Sequence, residues 1–136
     1  MTYFVLASLL LTVGVGVLTL VRWLSHRGAT FPTRLIVTHV GTAVLALGCW
    51  ITFMLGDRVL WAWLTLGVLT LANIVGDTIL TGRFRAISGV TTSSLTDYGR
   101  AVVAVVTGKR PAAPTLHALG AGVTYFATLA AAVIAT

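Results

Sequence analysis

Charge is what this sequence has least of. Only 9% of its 136 residues are Asp, Glu, Lys or Arg, where a soluble domain carries roughly a quarter. With 57% hydrophobic residues and a mean hydropathy of +1.00, too little polar surface remains to coat a water-facing domain. A soluble protein is therefore excluded. Cysteine is nearly absent as well. The lone Cys49 can form no intrachain disulfide and no Cys-x-x-Cys pair, and its place inside an apolar run predicts a small buried core residue. No Ser-His-Asp constellation and no glycine-rich phosphate loop is present, so the chain carries no recognisable catalytic motif.

What is there is apolar and comes in four long runs. Tyr3 to Val21, Leu35 to Leu55, Val59 to Thr81 and Thr115 to Thr136 are each long enough to cross a bilayer, which takes about 20 residues. Backbone polar groups inside lipid must be satisfied within the segment, so each run is predicted to be a helix. The fold expected is an all-α, up-and-down bundle of four transmembrane helices forming one domain over residues 1–136. The first run has no Lys or Arg ahead of it, so it lacks the basic start of a signal peptide.

The few charges are placed unevenly, and that sets an expected orientation. Arg22, Arg27 and Arg34 separate the first two runs, and Arg83, Arg85, Arg100, Lys109 and Arg110 separate the last two. Only Arg58 lies in the short turn between the second and third. Basic loops stay cytoplasmic, so both termini are expected on the outer face of a plasma membrane. Trp50, Trp61 and Trp63 would then sit at the outer interface and Trp23 at the inner one. The net charge of +6 follows from the same loops, which face anionic lipid; without a recognition element they do not imply nucleic acid.

Residues 82–114 make a long connection for a bundle. Ser94 is placed to cap a short amphipathic helix lying on the membrane surface, whose Leu95, Tyr98, Val102 and Val105 share one side with Arg100 off that stripe; the alternative is an ordered loop packed against a partner. Pro111 and Pro114 predict an extended lead into the last span. Pairs of small residues four apart, Ala72 with Gly76 and Ala118 with Gly122, and the glycines Gly14 and Gly16, mark places where helices approach closely. Such a surface suits association with other membrane subunits or with further copies of the chain.

Ionisable groups inside spans are costly and are therefore functional candidates. Three are present: His39, Asp77 and His117, with Asn73 one turn from Asp77. Counted from their helix ends, all three fall roughly 3–6 Å inside the same boundary at 1.5 Å per residue. In an up-and-down bundle the second and fourth spans are diagonal neighbours, so His39 and His117 can face each other as axial ligands of one b-type haem. Asp77 is then the expected hydrogen-bond acceptor behind an imidazole, and the small residues after each histidine (Gly41 and Ala43; Gly120, Ala121 and Gly122) the source of room for a ring. Two other readings stay open: polar groups that bond neighbouring helices near the interface, and a proton or metal site. His39, Asp77 and His117 have the composition of a two-histidine, one-carboxylate metal site without its spacing. His26, in the arginine-rich first loop, reads as a solvated loop residue.

Two segments carry a resemblance. Phe31-Pro-Thr-Arg-Leu-Ile-Val-Thr-His39-Val-Gly-Thr-Ala and Leu116-His117-Ala-Leu-Gly-Ala-Gly-Val-Thr124 resemble the helix starts of small actinobacterial four-span proteins. They are also similar to b-haem membrane anchors of the cytochrome b561-like and succinate-dehydrogenase anchor types. That resemblance implies either one bis-histidine haem or a cofactor-free accessory subunit of a respiratory or envelope complex. Cytochrome b561-like proteins have two ligand pairs at opposite depths; only the one inner pair exists here, so at most one haem is implied. Small four-span multidrug exporters rely on a glutamate in the first helix. This chain has no glutamate, so that function is not expected.

Overall fold

A computed structural model describes residues 1–25, 32–91, 94–109 and 111–136. His26 lies outside the described residues. Five helices follow one another: α1 Thr2–Leu24, α2 Thr33–Gly56, α3 Val59–Ser88, α4 Leu95–Val106 and α5 Ala112–Ala135. α1, α2, α3 and α5 are each long and apolar enough to cross a membrane. The chain is a small integral membrane protein built as an all-α bundle.

Two helices outrun the apolar runs that announce them. α3 continues seven residues past Thr81, because Arg83, Phe84, Arg85 and Ala86 still favour helix once the chain has left the apolar run. It stops where Gly89 turns left-handed, φ 66°, a conformation open to glycine at no steric cost. α5 starts three residues earlier than Thr115. Pro114 falls inside its first turn, where a missing N–H leaves no helical bond unmade, so the proline does not hold the chain extended. At the other end, Asp57 takes the left-handed conformation (φ 51°) that lets α2 reverse into α3 within two residues.

The core lies toward the end that holds the α2–α3 turn and both termini. Val5, Leu9, Ala46, Trp50, Phe53, Ala62, Leu69, Ala127, Ala131 and Ala132 form one buried cluster there. The sequence places Trp50 in an interfacial belt, but its ring is fully buried, stacked at a tilt on Phe53. Its indole N–H donates to the Thr2 carbonyl at 3.2 Å, taking the lone pair that the helical bond of α1 leaves over. Trp63 is exposed and donates to Thr136 Oγ1 at 3.3 Å. Cys49 is buried. At the opposite, basic end the Arg83 guanidinium stacks 4.9 Å from the Trp23 ring centre, joining α1 to α3.

The bundle is two tight helix pairs. α2 packs most extensively on α3, and α1 on α5; contact between the pairs is lighter. α4 lies against α3 and α5 at the basic end. Ser94 caps it as expected, in a reciprocal capping box with Asp97. Of the apolar stripe only Val105 is buried against the bundle. Asp97, Ala101, Ala104 and Val105 are buried, whereas Leu95 is 94% exposed. Asp97 decides this rotation: its carboxylate takes Arg85 Nε at 2.8 Å and the Ser94 backbone N–H at 3.1 Å. A charge-assisted bond to the protruding end of α3 outweighs the seating of one leucine.

Candidate functional site

Each helix pair is clasped by one histidine. His39 on α2 hydrogen-bonds through Nδ1 to the Ala72 carbonyl of α3 at 2.9 Å, and a Cβ at Gly76 would lie 3.0 Å from its ring. His117 on α5 does the same to α1: Nδ1 to the Thr12 carbonyl at 2.9 Å, with a Cβ at Gly16 only 2.8 Å from its ring. The two clasps share one design, an acceptor carbonyl at position i and a glycine at i+4. In a helix the N–H of residue i+4 bonds the carbonyl of residue i, so each imidazole takes that carbonyl's second lone pair. Only a residue without a side chain at i+4 lets the ring come that near.

The chemistry of the acceptor fixes the tautomer that each ring has when neutral. A carbonyl only accepts, so Nδ1 of each neutral imidazole carries the proton and Nε2 carries the lone pair. Both rings stand at the boundary between the two pairs, centroids 5.9 Å apart and planes at 87°. Two imidazoles bound to a single metal ion at about 2 Å per bond have centroids roughly 5–6.5 Å apart. The donor set is two imidazoles, and their separation lies between that of a bent pair on one metal and the roughly 6.3 Å of a linear one.

Asp77 is not the acceptor behind either imidazole. Its neighbour Gly76 seats His39, but its own carboxylate turns to α4, where the Tyr98 hydroxyl donates to it at 3.1 Å. The groups that bond the imidazoles are the main-chain carbonyls of Ala72 and Thr12 instead. Nor does the room around the rings come from the small residues that follow each histidine. Nothing approaches a Cβ at Gly41 or Gly122, and a Cβ at Gly120 would meet the Thr12 hydroxyl at 2.8 Å. Gly120 lets α1 and α5 close up, beside the Thr12–Thr124 hydroxyl pair at 3.2 Å. Among the described residues no three His, Cys, Asp or Glu side chains gather into a metal-holding group, so the two-histidine, one-carboxylate arrangement is not assembled.

Sequence reasoning missed Thr12, Gly16 and Tyr98 as parts of this site. The signal for the clasps was partly present: Ala72 and Gly76 stand out as a small pair four apart, and Thr12 and Gly16 repeat that spacing with a threonine in the first place.

Asp97 and Tyr98 set the electrostatics at the basic end. The Arg85 guanidinium, followed by the Ser94 backbone N–H, holds the Asp97 carboxyl below its ordinary 3.8. Burial, and then the negative Asp77, push the Tyr98 phenol above its ordinary 10.0, so it remains a hydrogen-bond donor at neutral pH. Below α4 the residues Asp77, Thr78, Thr81, Arg85, Ser94, Leu95 and Tyr98 line an open groove of about 250 Å³.

No protein family, curated protein or solved structure matches this chain.

Proposed function

We propose that the chain is a one-haem electron-transfer protein of the plasma membrane, with His39 and His117 as the two axial ligands and both termini on the outer face. The observation that carries the reading is the pair of clasped imidazoles, each with Nδ1–H spent on a carbonyl and the lone pair of Nε2 left for a metal, 5.9 Å from its counterpart. A b-type haem supplies a one-electron carrier when bound. The protein's part is to fix the rings. The Ala72 and Thr12 carbonyls set the tautomer and raise the basicity of Nε2, and Gly76 and Gly16 set the distance of each ring from its partner helix. Asp77 serves by tying α3 to α4 through Tyr98. The outward orientation rests on the eight of nine basic residues in the two loops at one end.

A second reading has its own support. Each clasp already satisfies its Nδ1 without any ligand and joins two helices as ordinary interhelical hydrogen bonds do. On that reading the chain is a cofactor-free accessory subunit, or a homo-oligomer, in a larger membrane complex.

Reduced-minus-oxidised absorption of the purified protein separates the two. The haem reading expects sharp b-type bands, lost in both His39→Ala and His117→Ala. Colourless protein from cells supplied with haem precursor, or bands that survive either substitution, refutes it and leaves the accessory subunit.

A further inference from the structure

We propose that α4 is an interfacial lipid helix: one flank is bolted to the bundle, a second rests in the headgroup–acyl boundary of the leaflet at the basic end, and a third faces water. The inference starts from how its residues divide around the axis at 100° per residue. Asp97, Ala101, Ala104 and Val105 occupy one arc and are buried against the bundle. Next to them on one side come Tyr98, Val102, Leu95 and Val106, apolar in body. Leu95 is 94% and Val106 67% exposed, so none of the described residues covers the arc at those two positions. On the other side lie exposed Thr96 and Arg100, with Val103 between Thr96 and the apolar arc. A helix with two apolar flanks set apart by one polar edge fits neither free solvent nor a full crossing of about 20 residues.

Its level in the molecule names the occupant. Tyr98 reaches Asp77, while Ser94 and Asp97 reach Arg85, so α4 runs beside the stretch of α3 from 77 to 85. That stretch includes Thr81, where the apolar run of α3 ends, and Arg83, where charge begins. The apolar flank of α4 is therefore continuous with the lipid-facing surface of the spans. The charges complement a lipid surface too. Arg100 is held to the polar edge, its guanidinium 3.8 Å from Asp97, and Lys109 is exposed just past the helix end, both at the height of anionic headgroups. This inference does not depend on a haem.

Single cysteines for a bimane label at positions 95, 106, 96 and 100 (L95C, V106C, T96C and R100C), each in a Cys49→Ser background, test it. The labelled full-length protein goes into mixed phosphatidylcholine and phosphatidylglycerol vesicles. Quenching by a lipid with a shallow acyl nitroxide is expected to be several-fold stronger at 95 and 106 than at 96 and 100, and quenching by aqueous iodide to show the reverse order. Four sites give a pattern with helical phase that no single misfolded variant can produce, and circular dichroism confirms that each variant is folded. Iodide quenching at 95 and 106 as strong as at 100 overturns the proposal, because the flank then stands in water and awaits a protein partner.

Discussion

The two histidine clasps are alike in their centre and unlike in their surroundings. Both use a carbonyl and a glycine four residues on, in chain order acceptor helix, histidine helix, acceptor helix, histidine helix. The α1–α5 clasp is closed: Thr12 holds His117 with its carbonyl and Thr124 with its hydroxyl, so one residue serves two bonds. The α2–α3 clasp is open on its cytoplasm-proposed side, where Asp77 reaches past Gly76 to Tyr98 and so to α4. α4 packs on both α3 and α5, but only the α2–α3 half is joined to it by side-chain bonds beside the histidine clasp. The common part fixes the position of each imidazole, and the difference is which clasp is tied by a side-chain bond to α4.

The comparison breaks most visibly at the glycines. Ala at position 16 puts its Cβ 2.8 Å from the His117 ring and Ala at 76 puts it 3.0 Å from the His39 ring. Overpacking of this kind typically costs about 1–3 kcal/mol. Both Gly16→Ala and Gly76→Ala are expected to lower the thermal unfolding midpoint in detergent, Gly16→Ala more, since His117 is met at two ring atoms within 3.0 Å. Equal, negligible effects would mean that the rings are not seated as described.

The open side should show itself in acid. Because the folded Asp97 carboxyl titrates below its ordinary 3.8, it contributes stability above that value, and the contribution is lost as pH falls through the lower, folded value. Amide hydrogen exchange in α4 should therefore be slow at neutral pH and rise selectively below about pH 4. Asp97→Asn should show fast exchange in α4 already at neutral pH, with α1 and α5 unaffected. A pH-independent α4 contradicts the role given to the Arg85–Asp97 pair.

Smaller effects sharpen the contrast. Thr124→Val removes the hydroxyl pair from the closed clasp only, and a polar contact between membrane helices is worth about 0.6 kcal/mol on average. Tyr98→Phe removes the bond to Asp77 from the open clasp only and should loosen α4 without moving the thermal midpoint beyond that scale. Exchange protection measured helix by helix would assign each loss to its half; a Thr124→Val effect appearing in α4 would blur the distinction.

How much of this was legible beforehand depends on whether the cause is local. The spans were readable because apolar run length is a local property, and their ends were misjudged where helix propensity carried α3 past Thr81 and tolerated Pro114 in a first turn. The Ser94 cap was readable for the same reason. The meeting of His39 and His117 was readable from depth and topology. Their acceptors were not, since a main-chain carbonyl has no signature in the sequence and every helical residue offers one. Asp77 was assigned to the imidazoles because it shares their depth; its true partner depended on which way α4 rolled, and that was set by Asp97, a residue outside the spans. The preference of Trp50 for an interface gives way to burial against Phe53 and a bond to the Thr2 carbonyl, neither of which has a local signal in the sequence.

The central claim is that two perpendicular, carbonyl-anchored imidazoles stand ready for one iron. Low-temperature electron paramagnetic resonance of the oxidised, purified protein tests it most directly, because axial imidazole planes near the observed 87° give a strongly anisotropic low-spin ferric signal with one large principal g value, and parallel planes give a compact rhombic one. The account predicts the anisotropic signal from a single haem, lost in His39→Ala and in His117→Ala alike. A rhombic or high-spin signal, or no haem in protein from haem-replete cells, contradicts it.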